Sequence, residues 1–304
     1  MKWEKLGLVY VPSGEQDWAL THAAVPIADQ VSDDIFRIYF GARDINNSAS
    51  VGYIEIDINR PHKILRESKL PVLSKGDLGT FDDSGVLPSW ITTVNERKYL
   101  YYVGWNLGVT VPFRNFTGLA ISDDNGDSFK KFSRAPIMDR DDIDPFFFTN
   151  PCVIFDADNR WKMWYLSCVR WTLEQDRPKH YYHLKYAESN DGVNWQRNGQ
   201  VAIDFKSDDE YAISRPSVIK EGNQYKMWFS ARGETYRIGY AVSDDGIEWN
   251  RMDEKVGIDV SESGWDSDMI EYPYVFSHEG DTYMLYNGNG YGKTGFGLAV
   301  LVEN

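Results

Sequence analysis

Acidic, basic and amide side chains recur at one position of this sequence, just ahead of a repeated valine. The segments read THAAV, DDSGV, TNPCV, SRPSV and EYPYV. They put Thr21-His22, Asp82-Asp83, Thr149-Asn150, Ser214-Arg215 and Glu271-Tyr272 in matching places. A further set closes the aromatic-rich run after each valine: Arg43, Trp105, Arg170, Arg232 and Asn287. Carboxylates, guanidinium groups, an imidazole and amides beside aromatic rings suit a hydroxyl-rich ligand, which needs convergent donors and acceptors. The carboxyl groups add proton transfer to that list. Glu271 is flanked by Met269, Ile270, Tyr272 and Tyr274, an apolar setting that disfavours a charge and raises the pKa.

These residues lie far apart in the chain, so a repeated architecture has to bring them together. Each valine is followed by an alternating run such as IFRIYFGARD or YKMWFSARG, and then by another such as SVGYIEID or RIGYAVSDD. Alternation of bulky and β-branched residues is the pattern of half-buried strands. SDDNGDSF, SNDGVNW and SDDGIEW come next, and their Asp-Gly segments predict hairpin turns into a fourth strand near Phe129, Trp195 and Trp249. After the fifth valine the chain has no room for a fourth strand. The N-terminal KWEKLGLVY resembles NWQRNGQVA and supplies the substitute, which removes exposed sheet edges. The expectation is an all-β five-bladed β-propeller with four-stranded blades, closed by the N-terminal strand, with residues 1–304 as one domain. In that fold the first strand of each blade lines the central channel, so the residues ahead of the valines meet at its mouth.

Composition narrows the partners. A formal charge of -14 and a pI near 4.8 argue against a phosphate-backbone partner, so no nucleic acid is expected. No apolar run is long enough to span a bilayer, and the start lacks a signal peptide's apolar core, so no membrane partner is expected either. Cys152 and Cys168 fall in predicted strands as buried free thiols, which fits a cytoplasmic protein. NGNGYGKTG (287–295) looks like a phosphate-binding loop, but a strand and not a helix follows it, so it reads as a glycine-rich hairpin. No H-x-x-x-H pair or calcium-type loop is present, so no metal or cofactor is expected.

With these segments in hand, the chain resembles the five-bladed glycosidases of glycoside hydrolase family 43 and its relatives in families 32, 68 and 130. EYPYV is similar to the family 43 segment E-G-P-H-I, and the resemblance implies that Glu271 is the general acid. DDSGV is similar to D-P-S-V, which implies that Asp83 is the general base, with Asp82 beside it as a substitute. His22 of THAAV would be the pocket histidine of the next blade, making the chain circularly offset by one blade. The family's auxiliary Asp is replaced by Arg215, and the WMNDPNG motif of family 32 is absent. His22, Asp82, Asn150, Arg215, Arg43, Arg232, Arg170, Trp105, Tyr272 and Asn287 are the expected ligand contacts. The leading expectation is a glycoside hydrolase-like enzyme that cleaves a glycosidic bond in a saccharide or glycoconjugate. Hydrolysis needs one carboxyl to protonate the leaving oxygen and another to activate water. Phosphorolysis would use the surplus of arginines, which suit phosphate. A non-catalytic carbohydrate-binding propeller is the reading from a different class.

Overall fold

The computed structural model describes residues 1–156 and 159–303, and these form an all-β structure. β1 (Lys2–Tyr10) is followed by four runs of four strands and one of three. The first run is β2 (Thr21–Ser32), β3 (Ile35–Arg43), β4 (Ala49–Asp57) and β5 (Arg60–Glu67). The second is β6 (Gly85–Val94), β7 (Arg97–Leu107), β8 (Phe113–Ser122) and β9 (Lys130–Lys131). The third is β10 (Phe148–Phe155), β11 (Trp161–Glu174), β12 (Arg177–Ser189) and β13 (Trp195–Ile203). The fourth is β14 (Ala212–Glu221), β15 (Gln224–Arg232), β16 (Tyr236–Ser243) and β17 (Asn250–Arg251), and the last is β18 (Glu271–His278), β19 (Asp281–Asn287) and β20 (Phe296–Glu303).

Neighbours within a run pair antiparallel, and β1 pairs with β20, giving a sheet ordered β1-β20-β19-β18. Single parallel bridges, Ala49 to Gly85 and Tyr182 to Ala212, join adjacent runs into larger sheets. Burial falls from first strand to last. β14 is almost wholly enclosed over its first seven residues, whereas β5 is largely exposed. The first strands touch in cyclic order: β2 with β6, β6 with β10, β10 with β14, β14 with β18, and β18 with β2.

Two repeated side-chain devices hold the runs in place. The first explains the triplicate Ser-Asp-Gly segments. Ser122, Ser189 and Ser243 each accept a hydrogen bond from the N–H of Gly126, Gly192 or Gly246. The carbonyls of those glycines accept from Tyr39, Tyr101 and Trp164, which lie on the second strand of the preceding run, at 2.9, 2.8 and 2.7 Å. Each turn therefore fastens one run to its neighbour. A Cβ on Gly126 would stand 2.1 Å from the Tyr39 hydroxyl oxygen, and its φ of +83° suits glycine best.

The second device is a buried acid ahead of a first strand, bound to a base on the outermost strand of the same run. Asp82 accepts from Lys131 at 2.6 Å and from the Tyr102 hydroxyl at 3.0 Å. Asp144 does the same with Arg197 and Tyr165, and Asp266 with Lys5 and Tyr286. Glu210 accepts from Arg251 and from the Lys206 N–H, with no tyrosine. Asp144 and Asp266 stand nine residues before their valines and Glu210 eight, but Asp82 stands only four before Val86. The second run is thus short in the segment that reaches the first strand.

Candidate active site

In four of the first strands, the residue three places before the valine has a left-handed backbone. These are His22 (φ 64°), Asn150 (φ 50°), Arg215 (φ 54°) and Tyr272 (φ 56°). Pairing with the second strand slips at the same points, between Thr21 and Ala24, Thr149 and Cys152, Ser214 and Ser217, and Glu271 and Tyr274. Each is a bulge that re-aims the neighbouring side chains. A non-glycine residue in such a conformation costs about 1–3 kcal/mol, and strain of this kind gathers at functional sites. The second run has no such bulge: β6 begins only at Gly85, and its slip lies deeper, between Pro88 and Trp90.

The strand starts and the exits of the second strands enclose a cavity of about 480 Å³, to which all five runs contribute. Arg43, Trp105, Asn150, Arg232 and Tyr272 face it, five of the residues expected from sequence. Glu271 lies behind its wall, fully buried, with no donor in hydrogen-bond geometry at either carboxyl oxygen. Burial disfavours its charge, while Arg232 and then Tyr272 and the backbone of Tyr291 favour the anion. Burial outweighs all three and holds the Glu271 carboxyl well above its ordinary value. No Asp or Glu is among the residues facing the cavity.

The two cavity arginines differ from most others in this protein. Arg43 donates to Asn47 at 2.7 Å, Arg232 lies over the rings of Tyr211, Tyr236 and Tyr291, and the Nε of each has no partner. Among the described residues neither pairs with a carboxylate within 4.0 Å, whereas Arg37, Arg197 and Arg251 all do. His22 is half-buried beside Arg43 and Lys293, and burial with those charges lowers it to about 4, so it is neutral near pH 7.

Other expected contacts are committed elsewhere. Asp82 belongs to the structural acid–base pairs described above, not to the cavity. Asn287 is saturated: its oxygen accepts from the Val25 N–H and its amide donates to the carbonyls of Ala23 and Gly295. Arg215, fully buried, donates to Ser89 and to the Pro26 carbonyl, farther along the first strands than the cavity wall. Burial pushes its guanidinium down to about 10. Arg170 is exposed, stacked on Tyr181 at 4.0 Å, and borders a separate lateral groove of about 630 Å³ with Asp204 and Glu210. That groove is larger but draws on only two runs and holds no unpartnered buried group.

Asp83 is half-exposed in the loop ahead of β6 and does not face the cavity. Its oxygens accept from the Gly79 N–H (2.9 Å), Asn106 (2.6 Å) and Ser84 (3.0 Å). Partial desolvation opposes these bonds, but together with Lys75 they hold its carboxyl below the ordinary value.

Several cavity residues escaped the sequence reading. The Tyr182 and Tyr236 hydroxyls share a 2.6 Å hydrogen bond, and His180 stacks on Tyr182 with centroids 4.9 Å apart. Burial, with Arg232 and Lys179 nearby, lowers His180 to about 4. Tyr291 comes from the glycine-rich segment, which forms the turn between β19 and β20. The available signal was positional, because starts of third strands lie beside the second-strand exits that sequence did single out.

No family model matches the chain. It is 46% identical over 301 residues to Uncharacterized protein MT1551 and to Uncharacterized protein Rv1502, both of Mycobacterium tuberculosis, covering 99% of this chain and 99% of each. A β-1,2-mannobiose phosphorylase of Thermoanaerobacter sp. is 32% identical over 95 residues, 26% of this chain and 30% of the phosphorylase. Among solved structures, a glycoside hydrolase matches at TM-score 0.76 and 18% identity, over 97% of this chain and 90% of its own. A thermostable family-43 glycoside hydrolase matches at TM-score 0.69 and 16% identity, over 94% and 91%. A structure reported with the GH130 mannoside phosphorylases and hydrolases matches at 0.72 and 15%, over 98% and 93%. At those identities the likeness is one of fold. The chain belongs to the family of the mycobacterial proteins MT1551 and Rv1502, and its fold is that of the glycoside hydrolase structures it matches.

Proposed function

We propose that the chain is a single-domain five-bladed β-propeller, closed by β1, that cleaves a glycosidic bond by phosphorolysis. Support for the architecture comes from the cyclic contacts of the first strands and from the β1–β20 pairing. One arrangement carries the chemistry. A fully buried carboxyl with no donor in hydrogen-bond geometry lies beside Tyr272 of the cavity wall and near Arg232, and among the described residues no carboxylate faces the cavity or pairs with Arg43 or Arg232. Glu271 is kept neutral by burial and so is suited to donate a proton. Arg43 and Arg232 are suited to hold a dianion.

In this reading hydrogen phosphate attacks the anomeric carbon, forming a carbon–oxygen bond to phosphorus-bound oxygen. The bond from that carbon to the leaving oxygen breaks, and the Glu271 proton passes to the leaving oxygen through the hydroxyl of Tyr272, which faces the cavity beside it. The proton carried by hydrogen phosphate makes good the one Glu271 has lost. No general base is required, because phosphate is the nucleophile; hydrolysis would need a second carboxylate. The local similarity to a β-1,2-mannobiose phosphorylase makes β-mannosides the first substrates to try. The buried free thiols Cys152 and Cys168 fit a cytoplasmic enzyme.

A second reading, hydrolysis with Asp83 as base, draws on the bonds that keep Asp83 ionised. Those bonds occupy both of its oxygens, which is why it ranks second. A saccharide panel run with and without phosphate separates the two. Glycose 1-phosphate formed only with phosphate supports phosphorolysis, and free sugar formed at equal rates in both refutes it.

A further inference from the structure

We infer that the glycoside cleaved in this cavity carries an apolar aglycone, an alkyl or aryl group, in place of a second sugar. This deepens the glycoside-cleaving reading above and rests on it. The cavity is two-sided. The first, fourth and last runs contribute Arg43, Asn47, Ser214, Arg232, Tyr272 and Tyr291. Facing them, the second and third runs contribute Leu87, Val103, Leu107, Pro112, Phe113 and Phe147. The polar side can satisfy a sugar ring and an anion. The apolar side cannot satisfy a second sugar over most of its extent.

Hydroxyl groups set against an aliphatic wall lose their water and gain no partner. Asn115, Asn150, His180, Tyr182 and the Trp105 indole are the exceptions on that side. With the Tyr182 hydroxyl already bonded to Tyr236 and His180 stacked on the Tyr182 ring, they are too few for a ring bearing a hydroxyl on nearly every carbon. The wall is also preformed. Phe113 packs against Phe147 and Trp171 with ring centroids 5.6 and 5.7 Å apart, and Trp171 packs against His180 at 5.3 Å. An aglycone entering there meets a fixed apolar surface, without the expense of ordering it.

The apolar surface continues outward on the same elements. Leu107 is 75% exposed at the end of β7, and Val109 in the following turn is fully exposed. Leu173, 73% exposed, lies near the tip of the hairpin made by β11 and β12, which at 14 and 13 residues are the longest strands. The second and third runs therefore present apolar side chains from the cavity floor to solvent. On the polar side the one large apolar side chain as exposed as these next to the lining residues, among the described residues, is Ile45, between Arg43 and Asn47. A chain longer than the cavity would leave along Leu107 and Val109.

Calorimetric titration of the whole protein, without phosphate, tests this with methyl, butyl and octyl glycosides of glucose and mannose in both anomers. Cellobiose and β-1,2-mannobiose serve as comparison ligands. Affinity should rise along one alkyl series by about fourfold per methylene until the wall is covered. The rise should shrink in Leu87→Asn and in Leu107→Asn, the latter chosen because an exposed side chain can change without unfolding the protein. Equal affinity for methyl and octyl members, absence of binding by every member, or tighter binding of a disaccharide would overturn the inference. So would a chain-length dependence unchanged in both variants. Phosphate-independent hydrolysis of an octyl glycoside would overturn the phosphorolysis reading and leave this one standing.

Discussion

Replacing Glu271 by glutamine should stabilise the protein at neutral pH while removing its proposed acid. The wild-type carboxyl is fully enclosed, has no hydrogen-bond partner and is held well above its ordinary 4.5 by burial. Below pH 4.5 the group is protonated in both the folded and unfolded chains and does not bear on stability. As pH rises, the unfolded carboxyl ionises and the buried one does not, so stability falls until the folded pKa is passed. Each pH unit between the unfolded and the folded value costs about 1.4 kcal/mol. Glutamine fills the same volume and cannot ionise, so it escapes this loss. At roughly 2 °C per kcal/mol for a large domain, Glu271→Gln should melt several degrees above wild type at pH 7 and level with it near pH 4.5. Urea titrations at four pH values measure the difference directly. A difference that does not change with pH, or a variant less stable than wild type at pH 7, would refute the neutral buried acid.

Four further outcomes follow from the same geometry. On a substrate with a poor leaving group, Glu271→Gln should lose about 10²–10⁴ in rate, and an aryl leaving group that needs no proton should restore most of it; steady-state kinetics on both substrates check this. Arg43→Ala and Arg232→Ala should each weaken phosphate binding by about 10- to 100-fold, the weight of one charge-assisted hydrogen bond, read as the phosphate KM. Asp83→Asn should change turnover less than about threefold if phosphate is the nucleophile, whereas loss of a general base would cost about 10²–10⁴. Asp82→Asn should leave catalysis intact and cost about 3 kcal/mol in urea unfolding, because it breaks the buried contact with Lys131 and Tyr102.

The strand pattern was legible because its signals are local. Alternating aromatic runs mark the strands and the Ser-Asp-Gly segments mark three of the hairpin turns, which proved to be fasteners between neighbouring runs. The similarity of KWEKLGLVY to NWQRNGQVA identified the strand that pairs with β20. The site was legible only in part. Alignment on the valine works where the bulge exists, so it picked out Asn150 and Tyr272, which face the cavity, and Glu271, which lies behind its wall. It fails at the second run, where the missing residues bring a structural acid, Asp82, into the column of Glu271. Asn287 and Arg215 show another limit: sequence gives a residue's position on a strand but not whether neighbouring carbonyls already use its donors. Tyr182, Tyr236 and His180 were missed because they face the cavity only by virtue of how third strands sit beside second-strand exits.

Phosphorus NMR on wild type and Glu271→Gln, each given inorganic phosphate and an alkyl or aryl β-mannoside, tests the central claim most directly. A phosphomonoester signal should grow with wild type and require phosphate. With Glu271→Gln it should grow at a comparable rate only on the aryl substrate. Sugar released at the same rate without phosphate, or an alkyl mannoside cleaved equally by both proteins, would contradict the account.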